Sequence, residues 1–121
     1  MAQAAMLPGE PAFRTPAIDL AHLNQMTFGD RSLERELLQL FDRQAEQLIA
    51  RMRASDAAVL AALAHTLKGS ALGIGANEVA RAAGAAEGAA AGSPAQRIAA
   101  LEALAAAIDA ARGEIAALLR V

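Results

Sequence analysis

Apolar residues recur three and four positions apart along most of this chain, and glycine, proline and capping residues break the pattern at intervals. That period predicts helices rather than strands. Asp19 is placed to cap a short helix carrying Leu20 and Leu23, and Thr27 to Asp30, with Gly29, reads as a turn. A second helix is expected from about Ser32 to Arg53, with Leu33, Leu37, Leu40, Phe41, Leu48, Ile49 and Met52 at helical spacing. Ser55-Asp56 offers the next N-cap, and a third helix follows from about Ala57 to beyond Leu72. Gly73 and Gly75 should loosen its end, with Asn77 capping a fourth helix from Glu78 to about Ala90. Ser93-Pro94 is a strong start signal, Ser as N-cap and Pro as first helical residue. The last helix carries Leu101, Leu104, Ile108, Ala111, Ile115 and Leu118.

That final seam, alternating three and four, suits antiparallel bundle packing. The expected fold is all-α: an antiparallel up-down-up-down four-helix bundle with a short extra N-terminal helix. Residues 1–16 contain Pro8, Pro11 and Pro16 with little periodicity and read as a flexible leader. Residues 17–121 form the bundle.

Composition narrows the core. Of 121 residues, 55% are apolar, yet there are three Phe and no Trp, Tyr or Cys. The length suits one domain, and its core must come from Leu, Ile, Val, Met and Ala on helices. Without cysteine there are no disulfides and no thiolate metal sites. A net charge of −2 and the lack of stacking aromatics argue against nucleic acid as a partner. Met1 to Glu10 lacks the basic and apolar regions of a secretory signal. Asp, Glu or Arg is expected to interrupt every alanine-rich stretch before membrane-spanning length. A soluble, monomeric, cytoplasmic domain with no membrane contact is the expectation.

One histidine of the two stands out. On a wheel of the third helix, Leu60, Leu63, Ala64, Leu67, Ala71 and Ile74 form the buried stripe. His65 falls about 160° from Leu67, on the opposite side. Its neighbours there are Ala58, Ala61, Ala62, Lys68, Gly69, Leu72 and Ala76. A solvated helix face normally carries Glu, Lys and Gln. This smooth, mostly apolar surface reads instead as a partner-binding face. Helical side chains lean toward the N-terminus, so a side chain at position 69 would lean over His65, and Gly69 removes it. A histidine with a pKa near ~6.5 is largely an uncharged nucleophile at neutral pH. Lys68, one turn on, sets a cation beside any anion the ring attacks or carries. This combination suits reversible phosphoryl transfer through a phosphohistidine.

The run His65-Thr66-Leu67-Lys68-Gly69-Ser70-Ala71, followed by Gly75-Ala76, resembles the signature of the histidine-containing phosphotransfer (HPt) family. The resemblance extends from about Ile18 to Leu119, through Ile18-Asp19-Leu20, Leu37-Leu38, Phe41 and the pair Ala86-Glu87. It implies a four-helix bundle whose exposed histidine shuttles a phosphoryl group between aspartates of response-regulator receiver domains, in a phosphorelay fed by a hybrid sensor kinase. His65 would be phosphorylated, Lys68 would steady the group, and Gly69 would admit the receiver. Glu87 matches a position that often hydrogen-bonds the imidazole. An acceptor on Nδ1–H would leave Nε2 as the nucleophile. In such systems Mg²⁺ sits in the receiver, so this chain is expected to need no metal or cofactor of its own. The family usually has bulkier residues where this chain has Ala82, Ala83, Gly84 and Ala86, which predicts a thin core there and modest stability.

Other signals carry less. Lys68-Gly69-Ser70 has the wrong order for a P-loop, and Gly73-Ile74-Gly75 follows no strand. With no ATP site in view, an enzyme with autokinase activity is not expected. Two histidines without cysteine make a poor zinc case. His22 reads as a surface or packing residue, and Arg51-Met52-Arg53 as a solvated helix end. Two alternatives stand beside the relay: a docking module that binds receivers without being phosphorylated, and an HPt domain excised from a larger sensor or chemotaxis kinase.

Overall fold

The computed structural model describes residues 16–120. All but the last residue of the leader expected over 1–16 lies outside that range. Five helices follow in order: α1 (Leu20–Met26), α2 (Arg31–Arg53), α3 (Ala57–Ile74), α4 (Asn77–Ala89) and α5 (Pro94–Leu119). Four of the five starts are set by capping side chains; Asp19, Asp56 and Ser93 were read as caps from the sequence, whereas the second helix, expected from about Ser32, starts at Arg31 on a cap from Asp30. Asp19, Asp30, Asp56 and Ser93 each accept from a backbone N–H of the first turn, satisfying donors that no helical carbonyl can reach. At Ser93 the Gln96 side chain returns the bond, closing a capping box.

The fourth start differs from expectation. Asn77 is the first residue of α4 rather than its cap, and Ala76 at the cap position makes no side-chain bond. The chain turns instead through Gly75, whose φ of 82° is left-handed, and the Ala76 N–H reaches back to the Ala71 carbonyl at 2.8 Å. A reversal closed by α3's own C-terminal carbonyls leaves no room for an Asx cap. Gly73, expected to loosen the end, lies within α3.

Packing closes a ring in which α2 lies on α3, α3 on α4, α4 on α5, and α5 on α2. Cross-helix contacts give the directions. Arg35 donates to the Leu119 carbonyl, Arg112 to Asp42, and Arg53 to Glu102, so rising numbers on α2 meet falling numbers on α5. The pairs define an antiparallel, all-α bundle. Asp42 accepts a bond from the Arg112 guanidinium, and this raises the Arg112 pKa above its ordinary value.

The core is aliphatic around one aromatic ring, Phe41, which is 2% exposed. Leu38 takes the inward place beside it, while Leu33 and Leu40, expected in the same stripe, are exposed. Residues 33, 37 and 40 lie on one helical row and 38, 41, 45, 48 and 52 on another; the second row faces the ring of helices. On α4 the inward row is Val79, Ala80, Ala83 and Ala86. Small side chains there let α4 sit close against its neighbours, since interaxial distance follows side-chain size. The bundle gains contact at this wall by proximity rather than bulk.

α3 corrects another expectation. Its 18 residues, Ala57–Ile74, have a mean hydropathy of 1.4, enough by length and composition to cross a membrane. No Asp, Glu or Arg interrupts this run. Its apolarity has a local use, because α3 is the helix that α1, α2 and α4 all pack against.

The lead-in before α1 is pinned at three points. The amides of Ala17 and Ile18 donate to the Glu114 carboxylate of α5 at 2.9 and 2.8 Å. The Asp19 N–H donates to the Gly75 carbonyl at 2.8 Å. Ile18 is fully buried between them, a burial worth roughly 1.5–3 kcal/mol.

Candidate functional site

Leu60, Leu63, Ala64, Leu67, Ala71 and Ile74 are all buried, which turns the opposite side of α3 outward. His65 stands there with 72% of its side chain exposed. Ala58, Ala62, Gly69 and Leu72 are exposed on the same side. Leu72 is a large apolar side chain left 49% open.

Two members of the predicted face are placed differently. Ala61 is half-buried and packs against the core. Ala76 is completely buried and belongs to no docking face. The wheel extended α3 through position 76, but the helix ends at Ile74 and Gly75 reverses the chain. Beyond that reversal the 100° step no longer applies.

Across the groove, α4 supplies the partner for the ring. Ala83 and Ala86 hold the inner side of α4, which leaves Glu87 at the rim with 35% of its side chain exposed. Its two carboxylate oxygens lie 3.2 and 3.3 Å from His65 Nδ1. A carboxylate at that range accepts from the Nδ1–H tautomer, and Nε2 then carries the lone pair.

Antiparallel packing repeats this pairing one turn along. Residue 68 is three after 65, residue 84 is three before 87, and they meet across the groove. A Cβ built on Gly84 would lie 3.7 Å from Lys68 Cδ and 3.9 Å from both Cε and Nζ. The lysine stem therefore lies across α4 where α4 has no side chain. Among the described residues no carboxylate pairs with its ammonium.

Gly69 makes no demand on the fold. A Cβ there meets nothing within 4 Å, in contrast with Gly75, where one would come within 2.9 Å of the Asp19 carbonyl oxygen. His22 is half-buried on α1, with a buried Nε2 that finds no partner, so it is a packing residue outside this group. Arg51 and Arg53 lie in the last turn of α2, as expected of a helix end.

Sequence reasoning missed three features around the site. Gly84 as the seat of Lys68 carried no signal beyond a helix-weakening glycine. The Glu114 clamp on the lead-in joins residues 96 or more apart and has no local signature. Arg97 donates to the Gly92 carbonyl at 2.6 Å, securing the loop after α4; its place in the first turn of α5 was the available clue.

Searches of curated proteins and of solved structures found no match for the chain. A family model, the Hpt domain, matches residues 36–118, from α2 to the end of α5 and through the whole His65 region. The exposed histidine on α3 and its two partners on the α3–α4 groove thus sit inside the matched span. The chain belongs to the Hpt domain family, whose members are phosphotransfer modules of two-component signalling and not kinases with an ATP site.

Proposed function

We propose that this chain is a phosphorelay intermediate that accepts a phosphoryl group on His65 Nε2 and passes it to an aspartate of a response-regulator receiver domain. The observation that carries the reading is the His65–Glu87 pair: an imidazole open to solvent whose Nδ1 is engaged by a carboxylate, leaving Nε2 as the free ring nitrogen.

The chemistry balances without a proton carrier. In the forward step the Nε2 lone pair attacks phosphorus of a phosphoaspartate. The phosphorus–oxygen bond breaks, and its electron pair leaves with the aspartate carboxylate. Nδ1 keeps its proton throughout and donates it in a hydrogen bond to the Glu87 carboxylate, so the product is an N-phosphorylated imidazolium beside a carboxylate. In the return step a receiver carboxylate attacks phosphorus, and the Nε2–P electron pair goes back to the ring. The leaving group is neutral imidazole, far better than imidazolate. Glu87 is thereby useful in both directions, which a reversible carrier requires.

Lys68 would face the phosphoryl oxygens as a point charge. Gly69, with Ala58, Ala62 and Leu72, would be the surface on which the receiver settles. Gly69 supports this: glycine in a helix interior costs about 0.5–1 kcal/mol relative to alanine, and nothing among the described residues requires it. The catalytic metal would be the receiver's Mg²⁺, and the setting the cytoplasm.

The test is transfer from a panel of receiver domains carrying labelled phosphoaspartate. Label should move rapidly to the wild-type chain and not to His65→Ala. A chain that no receiver labels, or a His65→Ala variant that labels equally well, ends the proposal.

A further inference from the structure

Lys68 has a long, flexible stem and four rotatable bonds, so a lysine on an open helix face samples many positions. Here the stem runs past one place on the opposite helix: a methyl group at position 84 of α4 would stand 3.7–3.9 Å from Cδ, Cε and Nζ. Gly84 is three residues before Glu87, and Lys68 is three after His65. The same antiparallel register that brings Glu87 to the ring brings Gly84 to the lysine. No ion pair among the described residues otherwise fixes the ammonium.

We propose that Gly84 is a positioning residue for phosphoryl transfer: by carrying no side chain it leaves free the space in which the Lys68 stem lies, and so lets the ammonium stand beside the group carried on His65. This rests on the reading of His65 as the phosphorylated residue. A methyl at 3.7–3.9 Å from the stem would be in ordinary van der Waals contact with it, so alanine would fit without moving the lysine. Leucine or glutamine would occupy the space of the stem and lift the ammonium away. A residue acting in this way does its work through Lys68 alone.

The experiment compares Gly84→Ala, Gly84→Leu, Gly84→Gln, Lys68→Ala and the double variant Lys68→Ala/Gly84→Leu, each checked for wild-type helical signal. Two donors are used. One is a phosphorylated receiver domain. The other is phosphoramidate, from which Nε2 takes the phosphoryl group as the P–N bond breaks and ammonia leaves with its electron pair. The small donor needs no docking surface, so it separates loss of the ammonium from obstruction of a partner.

Removal of a charge-assisted contact should slow transfer about tenfold. Gly84→Leu and Gly84→Gln should show that loss with both donors, and Gly84→Ala should stay within about twofold of wild type. In the Lys68→Ala background, Gly84→Leu should cause no further loss with phosphoramidate, because the group it acts through is gone. The inference is overturned if Gly84→Leu and Gly84→Gln react with phosphoramidate at the wild-type rate, or if the losses at 68 and 84 multiply. A wild-type chain that neither donor labels overturns the relay reading as well. Labelled wild type with multiplying losses overturns the role of Gly84 alone.

Discussion

Glu87 offers both carboxylate oxygens to a single ring nitrogen of His65, at 3.2 and 3.3 Å, from a helix that begins after the chain has reversed. An ion or tautomer held this way is restrained in orientation as well as in charge. Glu87→Ala should therefore slow phosphorylation of His65 about five- to tenfold, the worth of one partly exposed charge-assisted bond. Glu87→Gln, which keeps an acceptor and loses the charge, should fall between that and wild type. The tautomer is checked separately by ¹⁵N shifts of the imidazole, which should move from Nδ1–H toward a mixture in Glu87→Ala. Unchanged rates and shifts in both variants would remove Glu87 from the mechanism.

Gly69 sets stability against access. Its position has ordinary helical backbone and open space around a Cβ, so Gly69→Gln should stabilise the fold by about 0.5–1 kcal/mol. The same variant should lose transfer from a receiver domain by more than tenfold, since its side chain leans toward His65. Urea denaturation and labelling on one preparation would show both effects. A destabilised Gly69→Gln, or one with full transfer, contradicts the argument.

Gly75 is irreplaceable for two reasons. Its φ of 82° disfavours any side chain, and a Cβ would approach the Asp19 carbonyl oxygen to 2.9 Å. Gly75→Ala should cost about 2 kcal/mol or more, from left-handed strain plus displacement of the lead-in. Because Ile18 is buried next to that contact, the loss should come with earlier proteolysis near residue 18. A variant as stable as wild type would disprove both halves.

Phe28 has a φ of 54° and is 94% exposed, so it holds a strained conformation without burying its ring. Phe28→Gly should raise stability by about 0.5–1 kcal/mol through relief of that strain. Thermal unfolding would register the gain as an increase of a few degrees. A clear decrease would refute the strain argument.

Much of this architecture was legible before any coordinates. Capping residues announce three helix starts, at Asp19, Asp56 and Ser93, because a side-chain oxygen three positions from an orphan amide is a local relationship. The exposure of His65 follows from the period of α3 alone. What failed did so where local rules stop. Ala76 was carried round a wheel past the end of its helix. Leu33 and Leu40 match the apolar period as well as Leu38 does, and only the placement of neighbouring helices decides which row turns inward. Of the small residues Ala82, Ala83, Gly84 and Ala86, the row that turns inward on α4 includes Ala83 and Ala86. Contacts such as Glu114 with Ala17 and Ile18 span nearly the whole chain and leave no trace in any window.

The Gly75 reversal has a consequence for how the protein comes into being. His65, Lys68, Gly84 and Glu87 all belong to the single hairpin of α3 and α4, and none is more than 22 positions from its partner. Loop closure over that distance is cheap and fast. The reactive corner can therefore assemble as one early folding unit, before α5 docks and before the lead-in is clamped.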